Sequence, residues 1–143
     1  MGVAMITKSA SAYAGSAEVV ACRCSCPEPS ACSISASFTG DNAKGVDVSF
    51  LSSDNDNDVS VRAFSVVKFS EAKIPAMILL ANQLNNKYRF VKFTVDTDDQ
   101  DLNVEYDFPE KTDDVGRTAV ELFWRFAKII DEAYPQMMKT LWS

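Results

Sequence analysis

The chain has 143 residues, 47% of them hydrophobic and 24% charged, with a net charge of −6 and no histidine. That length suits one domain able to bury about two thirds of its unfolded surface, and the acidic balance argues against nucleic acid or an anionic membrane as partner, since both rely on clustered Lys and Arg. Without histidine the commonest general base, the usual Ser and Cys triads and most catalytic zinc sites are excluded; the glycines Gly2, Gly15, Gly40, Gly45 and Gly116 are too dispersed to cradle a phosphate.

At the N-terminus, "VVAC" at Val19 to Cys22 has the form of a lipoprotein cleavage box. The Ser- and Ala-rich text before it lacks the apolar stretch that a signal peptide needs, and no run of about 18 apolar residues follows anywhere, so the expected location is cytoplasmic, with no membrane partner. Residues 1–31 show neither a helical stripe nor strand alternation and are expected to be poorly ordered or loosely packed, ahead of a single domain over 32–143.

All four cysteines fall in "CRCSCPEPSAC": Cys22, Cys24, Cys26 and Cys32. Four thiolates could hold zinc or another soft metal in a tetrahedron. The spacing is unlike a pair of zinc knuckles separated by a longer loop, so plain thiols are the simplest reading, with a disulfide or a metal site as alternatives and no cofactor required.

From Ser33 the text becomes regular. Ile34, Ala36 and Phe38 alternate with serines; Val46, Val48 and Phe50 follow the turn "GDNAKG"; Val59, Val61 and Ala63 follow the turn "SDNDND". Three strands joined by short polar turns predict an antiparallel meander. Asp54, Asp56 and Asp58 have the first spacings of a calcium loop, but Val59 and Ser65 stand where that loop needs Gly and a bidentate Glu, so a solvated hairpin turn is expected.

"SEAKIPAMILLANQLNNKY" predicts a helix that starts near Ser70 and Glu71, has Pro75 in its first turn and ends at Asn85 and Asn86. Its stripe of Ile74, Met77, Ile78, Ala81 and Leu84 is widened by Leu79 and Leu80. A helix apolar on more than one side is either well covered or part of a subunit interface, which makes Ile78 and Leu79 candidate contact residues. "YRFVKFTVD" and "LNVEYDF" then predict a second hairpin around "TDDQD". Arg89, Val91, Phe93 and Val95 share a face less polar than a solvated one should be, so Phe93 is another candidate. Asp96, Asp98, Asp99 and Asp101 at its tip are the nearest thing to a catalytic carboxylate cluster, though such tips are usually solvated.

The last helix is capped by Thr112, Asp113 and Asp114, and runs along Val115, Ala119, Leu122, Phe126, Ile129 or Ile130 and Ala133, with Phe123 beside that face and Pro135 expected to break or kink it. Trp124 and Trp142 on it complete the interface candidates. The predicted class is therefore α+β: an antiparallel five-stranded sheet, in sequence order βββ-α-ββ-α, with helices on one face.

A helix ending in N-x-x-N at Asn82 and Asn85, running into "YRFVKFTVD" and later followed by "ELFWRFAKIIDEAYPQMMKTLW", resembles the YbjN family of bacterial proteins. The resemblance spans about residues 33 to 142 and is strongest from Ser70 onward. It implies a fold like that of type III secretion chaperones, which are homodimers that bind extended segments of other proteins. It implies no catalytic residue, and the family's label as regulators of sensory transduction names no ligand. The family's usual first helix has no counterpart in the Cys-, Pro- and Ser-bearing segment. On this basis the chain is expected to be a non-enzymatic homodimer with an unidentified protein partner; a thiol or metal protein using the four cysteines, or a small-ligand binder, are the alternatives.

Overall fold

The computed structural model describes residues 18–28, 31–53 and 57–143, with side chains described over 33–52 and 57–143. Among the described residues six strands form one antiparallel sheet: β1 (Glu18–Glu28), β2 (Ala31–Thr39), β3 (Val46–Ser53), β4 (Asp58–Lys68), β5 (Lys92–Asp96) and β6 (Asp101–Pro109), ordered β1-β2-β3-β4-β6-β5. Between β4 and β5 a 3-10 turn at Glu71–Lys73 leads into helix α1 (Ile74–Lys87); after β6 comes helix α2 (Val115–Trp142). From β2 onward this is the expected βββ-α-ββ-α order. The sixth strand, β1, lies within the segment for which sequence offers no alternation: its Ala, Ser and Cys residues carry too little apolar contrast to mark a face. It pairs with β2 through main-chain register, with Cys22 opposite Ala36 and Cys24 opposite Ile34.

The strands alternate as their sequences require. Ala36, Phe38, Val46, Val48, Phe50, Val59, Val61, Ala63, Leu102, Val104 and Phe108 are buried on the face covered by the helices. The opposite face is mostly polar: Ser35, Ser49, Arg62, Glu105 and Lys92 stand in register across five strands. There Ser35 and Ser49 hydroxyls are 2.7 Å apart, Arg62 pairs with Asp107 at 2.7 Å, and Thr94 Oγ1 donates to Glu105 at 2.8 Å. A bulge between Ala63 and Val67 interrupts the β4–β6 ladder. Ser65 sits there at φ 49°, its N–H donating to Asn103 Oδ1 at 2.7 Å and its hydroxyl to Asp101, the one buried polar residue among those described.

Both helices cover the apolar face. α1 buries Met77, Leu80, Ala81 and Leu84; α2 buries Val120, Leu122, Phe123, Trp124, Phe126, Ala127, Ile130, Ala133 and Met137. Asp114 caps α2 by accepting the Arg117 N–H at 2.9 Å. Of the alternatives Ile129 and Ile130, Ile130 is the buried one, and Val115 is exposed.

Three sequence expectations change. β5 starts at Lys92, four residues later than the alternation from Tyr88 indicates, because the chain bends at Arg89 and Phe90, where Phe90 has φ 74°. α1 continues through Asn85 and Asn86 to Lys87. α2 runs unbroken through Pro135. A proline there leaves the Asp131 carbonyl without its helical donor, and Asn42 Nδ2, from the β2–β3 turn, donates to that carbonyl at 3.2 Å instead.

Candidate interaction surface

α1 presents its inner stripe to the sheet and to α2, and at 3.6 residues per turn that arrangement sends Ile78, Leu79, Asn82, Gln83 and Asn86 outward. Ile78 is 49% exposed and Leu79 59%. Lys87 is the only charged residue of the helix, so the outer face between Pro75 and Asn86 carries no charge. In a chain that is about one quarter charged, a solvent-facing helix of that composition is unusual, and it has the charge depletion of an interface centre.

Two contacts fix how α2 runs beside it. Gln136 Nε2 donates to Gln83 Oε1 at 3.4 Å, and the Arg125 guanidinium lies 4.8 Å from the centroid of the Phe90 ring. From Arg125 to Gln136 along α2 the partner changes from Phe90, just past the end of α1, to Gln83 within it, so α2 runs back along α1 and its end lies toward the first half of α1. Trp142, 81% exposed, therefore belongs to the same end of the helical layer as Ile78 and Leu79.

The other two sequence candidates lie inside the protein. Phe93 is 2% exposed and Trp124 7%. Phe93 belongs to the core because β5 turns the Phe93 and Val95 face, and not the Lys92 and Thr94 face, toward the helices; the segment 88–95 has apolar residues at both parities, so alternation alone does not choose. Trp124 packs edge-on against Phe123 at 5.2 Å, and its Nε1 is buried with no hydrogen-bond partner.

The acidic tip is occupied in holding its own turn. Asp96 Oδ1 accepts the N–H groups of Asp98 and Asp99 at 2.9 and 3.0 Å, while Asp101 is held by Ser65 and by Asn103 Nδ2 at 2.9 Å. Asp54 and Asp56 lie outside the described residues, as do the side chains of Cys22, Cys24, Cys26 and Cys32. Among the described residues no group of three or more His, Cys, Asp or Glu is placed to hold a metal, and no helix is long and apolar enough to cross a membrane.

The sequence pattern marks Asn85 as a residue that ends the helix. In the structure it does something else: its Oδ1 accepts the Phe93 N–H at 2.7 Å, and its Nδ2 donates to the Phe93 carbonyl at 3.0 Å. An Asn two residues from the helix end and eight residues before a strand interior is the only sequence signal for this pairing, and it is a weak one.

The family model described as "Putative bacterial sensory transduction regulator", YbjN, matches residues 42–137, about two thirds of the chain. The chain belongs to the YbjN family. The match covers β3 to β6, both helices' buried faces and the turn that docks on Asp131, which are the parts that position the α1 surface. Comparison with curated proteins and with solved structures gives no match. The family's description is regulatory and names no reaction.

Proposed function

We propose that this YbjN protein is a non-catalytic, cytoplasmic interaction module that works as a homodimer through the outer face of α1 and holds a segment of another protein. The observation that carries the reading is the uncharged, partly apolar face of α1, with Ile78 and Leu79 exposed at its centre. Two copies that each carry net charge −6 repel one another over most approaches; the α1 face is where they can meet without opposing like charges.

Magnitude limits what those residues do alone. Fully burying an Ile or Leu gains about 1.5–3 kcal/mol, so the exposed halves of four such side chains in a two-fold contact supply about 4 kcal/mol in all. That only reaches the low end of the cost of association, about 4–15 kcal/mol. Trp142, with the largest exposed apolar area nearby, and the amide side chains of Asn82, Gln83 and Asn86 must join the contact for the dimer to be stable.

Light scattering coupled to size-exclusion chromatography tests this. The expected result is a dimer that becomes a monomer in Ile78→Asp/Leu79→Asp and stays a dimer in Trp124→Phe, whose side chain is internal. A strict monomer at high concentration for the unaltered chain overturns the dimer. Capture from the native cell, followed by rebinding of a purified segment of the captured protein, tests the second half of the proposal.

A further inference from the structure

An edge strand leaves a row of N–H and C=O groups open to another strand. β5 is one edge of this sheet. It pairs with β6 in the register Lys92–Glu105, Phe93–Val104, Thr94–Asn103, Val95–Leu102 and Asp96–Asp101. In an antiparallel ladder alternate residues aim their main-chain groups at the partner and away from it. The Phe93 N–H and C=O both engage Asn85, on the side away from β6, so Phe93 and, by alternation, Val95 are the residues whose main-chain groups face the open edge.

The strand reads Lys92, Phe93, Thr94, Val95, Asp96. An antiparallel second copy related by a two-fold axis at Thr94 would bring Lys92 opposite Asp96, Phe93 opposite Val95, and Thr94 opposite itself. Opposite charges and aromatic with β-branched residues are the favourable cross-strand partners. The phase also agrees, because Phe93 and Val95, the outward-facing residues, would form the hydrogen-bonded pairs. β5 is thus self-complementary in sequence and in hydrogen-bond phase, and the groups it needs at Phe93 are already taken.

We propose that Asn85 is a strand mimic that closes β5 to pairing with a second copy of itself. Its carboxamide carries an acceptor oxygen and an NH2 donor on the same carbon, and with the oxygen on the Phe93 N–H and one N–H on the Phe93 carbonyl it meets the main-chain groups of Phe93 as a neighbouring strand would. Asp in its place would keep the acceptor and lose the donor; Ala would lose both. Without the carboxamide, two copies join β5 to β5 and their sheets become one twelve-stranded sheet, an isologous contact separate from the α1 face.

Sedimentation over a wide concentration range, in an Ile78→Asp/Leu79→Asp background that removes the α1 contact, tests the proposal without depending on the dimer argued above. Asn85→Ala is expected to double the mass at high concentration, and adding Lys92→Asp, which would oppose Asp96 with a like charge, to return it to that of the parent. An Asn85→Ala protein that is folded and keeps the parent's mass throughout overturns the proposal. Hydrogen exchange on the unaltered protein gives a reading that needs no variant: the Phe93 amide should exchange more slowly than the Val95 amide, and equal, fast exchange at both overturns the mimicry.

Discussion

At Asp131, one carboxylate oxygen accepts the N–H groups of Asn42 and Ala43, each at 2.8 Å, while Asn42 Nδ2 reaches the carbonyl that Pro135 leaves without a helical partner. The approach is close enough that a Cβ on Gly40 would overlap the carboxylate. A residue near position 40 and one near 131 are thereby locked, and the β2–β3 turn is held on the middle of α2. Gly40→Ala is expected to destabilise the fold by about 1–3 kcal/mol, the usual range for forced overpacking. In an Asp131→Ala background the same Gly40→Ala change should cost much less, since the group it strikes is gone, and the coupling between the two is the measurable quantity. Denaturant titration of the four proteins checks it; additive losses would show that the cost of Gly40→Ala does not arise from the Asp131 carboxylate.

Elements differ in how far sequence predicts them, and the reason is how local their determinants are. β2, β3 and β4 are legible because Phe38, Val48 and Val61 alternate with polar neighbours and each strand has one covered face. The start of α2 is legible for a similar reason, as Asp114 acts within its own first turn. Asp114→Ala should therefore cost about 1 kcal/mol, the usual value of an N-cap, with an unchanged dependence on denaturant. A thermal melt indistinguishable from that of the parent would show that the capping bond adds nothing. What sequence misses is set across long separations: the Asp131 carbonyl that Pro135 frees finds its donor in Asn42, and the inner face of β5 depends on where the chain bends at Phe90. The candidate surface follows the same division. Ile78 and Leu79 are marked by an excess of apolar residues on one helix, whereas the internal positions of Trp124 and Phe93 depend on which neighbours cover them.

At the scale of the whole molecule, the buried residues of the described core run from Ala36 to Met137, and the family match runs from 42 to 137. β1 precedes both and joins the sheet through β2 alone. Residues 32–143 should therefore form the folding unit, with β1 as an addition along its edge. A chain starting at residue 32 would keep the helical layer and the α1 face but leave the outer edge of β2 unpaired, and an open strand edge invites association. The expected outcome is a protein with a single cooperative unfolding transition, a lower midpoint than the full chain, and a greater tendency to aggregate on concentration. Circular dichroism melts with light scattering measure all three. Loss of the cooperative transition would mean that residues 1–31 supply part of the core, and the domain boundary would then have to move toward the N-terminus.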